Sequence, residues 1–351
     1  MNTGLKKEDL ATLDQVVPDF TGLRNDSSQE YSQIQWSHSF QKYPHLINLE
    51  ELVEKYPWTE TRITYNAVYT SYRKPCNCAA SCVLSLTTSH NELVNAWTHI
   101  FGFLAALGCL LTTLCTASPE RVGATAVLSL FAAGGMFMFS SSAMHHTFCC
   151  HSDMGSRTVQ CMDWLGIAVF TFVSNLVVSY FEIFDYGYEN VFYGFTAANF
   201  LLAMFSYYVT FSALQTVYKP FNKATKHSTN AKEDGEKKEK TSNILFWLLK
   251  PLFDVMNTYI FRTSVGMMYA LGSMLAWIIG YALTGKVNNH LVPIIGMYLC
   301  FGTVVFCLLD FPEAFFPKGT FDIVGASHQL FHVGIIGGFL LLWAFFYKVS
   351  L

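Results

Sequence analysis

Four side chains in this sequence have types and spacings suited to chemistry: His146, Asp163, His328 and His332. His328 and His332 are four residues apart, so on a helix they project from one face. That is the spacing of a two-histidine clamp on a metal ion, and His146 supplies a third imidazole. Imidazoles favour Zn²⁺ over Mg²⁺ or Ca²⁺. Three of them leave a fourth position for a water, and a carboxylate beside that water can make a hydrolase. Asp163 is expected either to take the proton of that water or to orient a ligand, and the sequence leaves both roles open. Ser142, four residues before His146, can donate to a substrate carbonyl or to the water. It can equally bond its own helix backbone.

These residues need elements that bring them to one level, and the composition says which. Of 351 residues, 52% are hydrophobic and 13% charged, about half the charge of a soluble domain. Apolar runs recur from residue 96 onward, each long enough to cross a hydrocarbon core of about 30 Å as a helix. The expected fold is an all-α integral membrane protein, a bundle of seven helices. The spans run near 96–116, 123–146, 163–184, 191–214, 263–284, 290–309 and 326–347. Strand-length alternation of the kind a barrel needs is absent. No signal-peptide pattern precedes the first span, which is expected to act as its own insertion signal. A net charge of -3 argues against a nucleic-acid partner.

Three regions are expected: a polar N-terminal region (1–88), a seven-helix domain (89–348), and within it a long loop (215–262). Leu46 to Tyr56 has helical periodicity with an acidic face, which suits a surface helix or one that docks a partner. Lys219 to Lys240 is lysine-rich, with the composition of a disordered stretch. Ile244 to Phe261 is apolar but broken by Lys250, Pro251 and Asp254, which fits an interfacial helix better than an eighth span. Basic residues cluster before span one and in loops 2–3, 4–5 and 6–7, including Arg73, Lys74, Arg157 and Lys318, against Arg121, Lys286 and Lys348 on the other side. That bias sets the N-terminus in the cytosol. His99, Ser142, His146, Asp163, His328 and His332 then fall at one depth, in the cytosolic leaflet.

Several neighbours are expected to play lesser parts. His145 points about 100° away from His146 and is not expected to be a ligand. His151 belongs to a polar loop, and His290 to the opposite membrane face. Cys149, Cys150 and Cys161 lie near enough to suggest thiolate ligation, but ordinary reduced cysteines are expected. Glu92, Asn95 and His99 fall on one helical stripe at the entry to span one, placed to support the site.

The pattern Glu92-x-x-Asn95-x-x-x-His99, Ser142-x-x-x-His146, Asp163 and His328-x-x-x-His332 resembles the motifs of the progestin and adipoQ receptor family. His146 to His151, Asp163 to Ala168, Pro312-Glu313, Phe321-Asp322 and Ser327 to His332 are especially similar to its adiponectin receptor branch. The likeness covers roughly residues 70–348. It implies a seven-helix receptor with a cytosolic N-terminus, and zinc held by His146, His328 and His332 with Asp163 at the metal-bound water. It also implies kinship with a wider, hemolysin III-related group of membrane proteins that includes alkaline ceramidases. The chain departs from the pattern at Ser71-Tyr72-Arg73, where the family has Gly-Tyr-Arg, and at Pro312-Glu313-Ala314, where it has Pro-Glu-Arg.

The expected function is a zinc-binding receptor that hydrolyses a ceramide-type lipid amide, with membrane lipids supplying the substrate. The alternative is a non-catalytic steroid or adipokine-like hormone receptor with structural zinc. A cytosolic signalling partner at the N-terminal region is a further expectation. The expected location is the plasma membrane, the Golgi or the endoplasmic reticulum.

Overall fold

The computed structural model describes residues 46–62, 68–216, 271–286 and 289–351. The lysine-rich stretch, the interfacial segment and the start of span five (263–270) lie outside the described residues. β1 (Leu46–Ile47) leads into α1 (Leu49–Lys55). β2 (Tyr72–Arg73) returns antiparallel to β1, Leu46 opposite Arg73 and Ile47 opposite Tyr72. The helical periodicity from Leu46 therefore yields helix only from Leu49. Asn48 sets that start, because its side chain accepts the Glu51 amide at 2.8 Å, as an N-cap does.

The short α2 (Ala79–Leu84) precedes the bundle. The bundle comprises α3 (Leu93–Cys115), α4 (Val122–Phe148), α5 (Asp153–Glu182), α6 (Glu189–Thr216), α7 (Gly272–Thr284), α8 (Leu291–Phe301), α9 (Val304–Leu308) and α10 (Ser327–Ser350). The helices containing α3, α4, α5, α6 and α10 are long and apolar enough to cross a membrane. Gly272–Thr284 and Leu291–Cys307 are shorter apolar helices, at the places expected for spans five and six. The chain is thus a helical integral membrane protein.

Span three differs from its expected bounds. α5 begins at Asp153, ten residues before Asp163, so Asp163 lies nearly three turns inside the helix rather than at its opening. Hydropathy marks where apolar residues begin, whereas capping marks where helix begins. Here Ser152 Oγ accepts the Gly155 amide at 3.1 Å, and Asp153 pairs with Arg157 one turn on.

α4 packs against α3, α5 and α10, and α10 also packs against α3 and α8. Two adjacent glycines let α4 approach two helices at once. A Cβ on Gly134 would meet Val173 of α5 at 2.6 Å, and one on Gly135 would meet Phe339 of α10 at 2.6 Å. Below them Phe131 stacks on Phe339 at 5.0 Å and Phe139 meets it edge-on at 5.6 Å. This aromatic layer is the floor on which the histidines stand.

Candidate metal centre

His146 sits in the last turn of α4, and His328 and His332 in the first two turns of α10. Their ligand atoms all lie within 4.8 Å of one another. Ring centroids are 4.9 Å apart for His146 and His332, 5.2 Å for His146 and His328, and 4.5 Å for the α10 pair. His146 and His332 are 2% and 1% exposed, deep enough that each polar ring atom needs a partner.

The outer nitrogens have such partners. His146 Nδ1–H donates to Glu92 Oε2 at 2.7 Å, which turns Nε2 inward as a lone-pair nitrogen. The Thr98 hydroxyl donates to Asn95 O at 2.9 Å, so its oxygen accepts from His332 Nδ1 at 3.0 Å. Both rings are thereby fixed in the orientation metal-ligating imidazoles take, with the far nitrogen held by an acceptor. His146 Nε2 is buried with no hydrogen-bond partner among the described residues. Leaving such an atom unpaired costs about 1–3 kcal/mol, and a cation at the centre of the three rings would remove that cost. The donor set and the orphaned nitrogen fit a zinc-type ion.

Glu92 and Asn95 lie behind His146. Asn95 Nδ2 donates to the same Glu92 oxygen at 2.7 Å. Burial alone would raise the Glu92 carboxyl, but the His146 imidazole and Asn95 outweigh it and hold it well below the usual carboxylate range. Glu92 makes no cap bond to its own helix. His99 stacks flat on His332, 3.6 Å between centroids, and meets Phe139 edge-on at 5.3 Å. Neither of its nitrogens has a hydrogen-bond partner among the described residues. Its ring thus lies between Phe139 of the aromatic floor and a candidate ligand.

Asp163 does not belong to the three-ligand group. Ser142 and His146 of α4 are the neighbours of its carboxyl. Gly166, one turn further along α5, makes this approach feasible, since a Cβ there would lie 3.0 Å from Met138 Cα.

Three supports were not legible as such in the sequence. Arg73 counts there as a topological charge, yet it is buried and clamps the end of α4. Nη2 donates to His146 O at 2.6 Å, and Nη1 to Thr147 O at 2.9 Å and Ser85 Oγ at 2.7 Å. A cation on those carbonyls suits the negative end of the helix dipole. Glu313 Oε1 accepts Ser327 N at 2.6 Å and Ser327 Oγ at 2.8 Å, so it caps α10 beside His328. Asp322 Oδ2 accepts Thr70 N at 2.7 Å and Thr70 Oγ1 at 2.6 Å, latching the strand before Arg73 to the loop before α10. Only the family likeness through Pro312-Glu313 and Phe321-Asp322 drew attention to the last two.

Known proteins resemble this arrangement's carrier over most of its length. The chain is 23% identical to the adiponectin receptor protein of Drosophila melanogaster over 89% of its own length and 60% of that protein. It is 26% identical to an uncharacterized protein of Schizosaccharomyces pombe, over 84% of its length and 57% of the relative. Against membrane progestin receptor gamma-A of Danio rerio, identity is 24% over 85% of this chain and 84% of the other. The chain spans about three-fifths of the length of the fly and fission-yeast relatives. The model of the family described as Haemolysin-III related matches residues 87–343, from the helix that carries His99 through the one that carries His332, and to that family the chain belongs.

Proposed function

We propose that the chain is a zinc-binding membrane receptor whose buried site hydrolyses a lipid amide of the ceramide class. The observation that carries this reading is the convergence of His146, His328 and His332 around the unpartnered Nε2 of His146. These three residues would hold the ion. When bound, zinc supplies a Lewis acid that brings the pKa of a coordinated water to about 7. Glu92 and Thr98 keep the His146 and His332 rings facing inward. The Asp163 carboxylate takes the proton of the attacking water and passes it to the amide nitrogen as the C–N bond breaks. Ser142 holds that carboxylate through its hydroxyl. The apolar faces of the bundle suit a substrate that arrives laterally from the bilayer. We place the N-terminal segment and the site on the cytosolic side, from Lys74, Arg157, Lys318 and the loop lysines, in the plasma membrane, Golgi or endoplasmic reticulum. Residues 1–88 would then be available to a cytosolic signalling partner.

A second reading draws on the relatives' names. One is called an adiponectin receptor and another a membrane progestin receptor, so a hormone receptor with a structural ion is the alternative. One experiment separates the two: zinc content and fatty-acid release from ceramide, measured on the same purified samples. Hydrolysis predicts turnover by wild type, none by Asp163→Ala with zinc content unchanged, and loss of turnover together with about one equivalent of zinc by His332→Ala. Zinc without turnover on any lipid amide would leave the receptor reading, and equal zinc content in wild type and His332→Ala would overturn both.

A further inference from the structure

A second set of ligands lies outside the histidine site. Cys76 follows β2, Cys82 lies on α2, and Cys150 lies in the turn after α4. The sulfurs of Cys76 and Cys82 are 3.4 Å apart, those of Cys82 and Cys150 3.7 Å, and all three lie within 4.8 Å of one another. We infer that Cys76, Cys82 and Cys150 form a binding site for a thiophilic divalent cation of the zinc type, separate from the histidine site and not dependent on it.

Geometry supports this over the alternatives. Tetrahedral zinc with Zn–S of about 2.3 Å places its sulfurs about 3.8 Å apart, close to the spacings here. A disulfide needs about 2.05 Å and pairs only two of the three. The backbone is shaped to hold the set. Cys76 N donates to Cys150 O at 3.1 Å and Asn77 N to His151 O at 2.8 Å, which binds the two distant segments edge to edge. Asn77 takes a left-handed conformation, φ +50°, which reverses the chain so that Cys76 returns to Cys82. Asn adopts that region at less cost than most residues.

Charge and burial agree. Cys82 is fully buried and Cys150 nearly so, and three thiolates there would need neutralising. A divalent cation leaves one net negative charge. Arg73, whose Nη2 lies 3.2 Å from Cys149 Sγ, supplies a buried positive group beside Cys150. Thiolate donors select zinc-like ions over magnesium and calcium. Cys76 remains partly exposed, which leaves the ion a way in.

The test uses the full-length protein in detergent, reduced and stripped with a chelator, then titrated with Co²⁺. Thiolate-to-cobalt charge transfer absorbs in the near ultraviolet, and imidazole ligands cannot produce it, so the signal is blind to the histidine site. The expected result is a saturable band that Zn²⁺ displaces, reaching its plateau at one equivalent when the histidine site is removed by His332→Ala. It should be abolished in Cys82→Ser and Cys150→Ser, and retained in His332→Ala and in Cys115→Ser. No band in the wild type would overturn the proposal, and that result does not depend on any variant folding. So would a band that survives both serine variants, or a disulfide among the three cysteines that forms in preference to metal uptake.

Discussion

At the scale of the residue, the candidate centre depends on what holds each ring from behind. Glu92 fixes the His146 tautomer through a charged acceptor at 2.7 Å. Glu92→Gln keeps the shape but loses the charge, and should weaken zinc binding about 10–100-fold, measured by competition with a chromophoric chelator. Ser71 offers a test in the opposite direction. It adopts φ +64°, where its Cβ is crowded, while its carbonyl accepts Asn91 N at 3.0 Å. Glycine stands at this place in the family pattern noted above, and Ser71→Gly should stabilise the protein by about 1 kcal/mol, read as a higher melting temperature. The histidines themselves were legible in the sequence because i, i+4 spacing and shared depth are one-dimensional signals. Arg73 was not, since nothing in the sequence distinguishes a cation that faces water from one that caps a buried helix end.

At the scale of the element, each helix end that carries a candidate ligand is tied down by a residue from elsewhere in the chain. Glu313→Ala removes the acceptor of the Ser327 amide at the start of α10. It should cost about 1–3 kcal/mol in stability, and should lower zinc affinity less than Glu92→Gln does, because the His328–His332 spacing belongs to the helix itself. Thermal melting and the same competition assay check the two halves. Spans were legible as apolar runs, but their ends were not. α5 starts ten residues early because Ser152 caps a polar first turn that hydropathy cannot see. The far end of the bundle shows the same limit. His290 was assigned to the opposite face, and its Nδ1 meets Glu182 at 2.7 Å. Glu182 is only 1% exposed and joins α5 to the start of α8, a link that no local pattern announces.

At the scale of the whole molecule, stability should depend on pH through a residue that takes no part in ligation. His90 is fully buried and its Nδ1 accepts the Glu92 amide at 3.1 Å. Burial, helped by the charge of Arg73, pushes its pKa from 6.5 down to about 3. Between those values the unfolded chain binds a proton that the folded chain does not, so this contribution to stability is lost as pH falls below about 6.5. The loss should reach about 2 kcal/mol by pH 5. Melting temperature in detergent should therefore fall between pH 7 and pH 5 more steeply for wild type than for His90→Gln, and equal slopes would remove His90 as the cause.

The Thr70–Asp322 latch joins residues 252 positions apart, and that distance governs the order in which the protein can be made. Residues 68–150 emerge early from the ribosome and carry Arg73, Glu92 and His146. The other two imidazoles arrive only with α10. A nascent chain halted before Ser327 holds one of the three rings and an Arg73 clamp without its latch. Stable loading of the histidine centre would then report that α10 had been made and had joined α4, so a cell short of the ion would accumulate chains that resemble ones halted before Ser327.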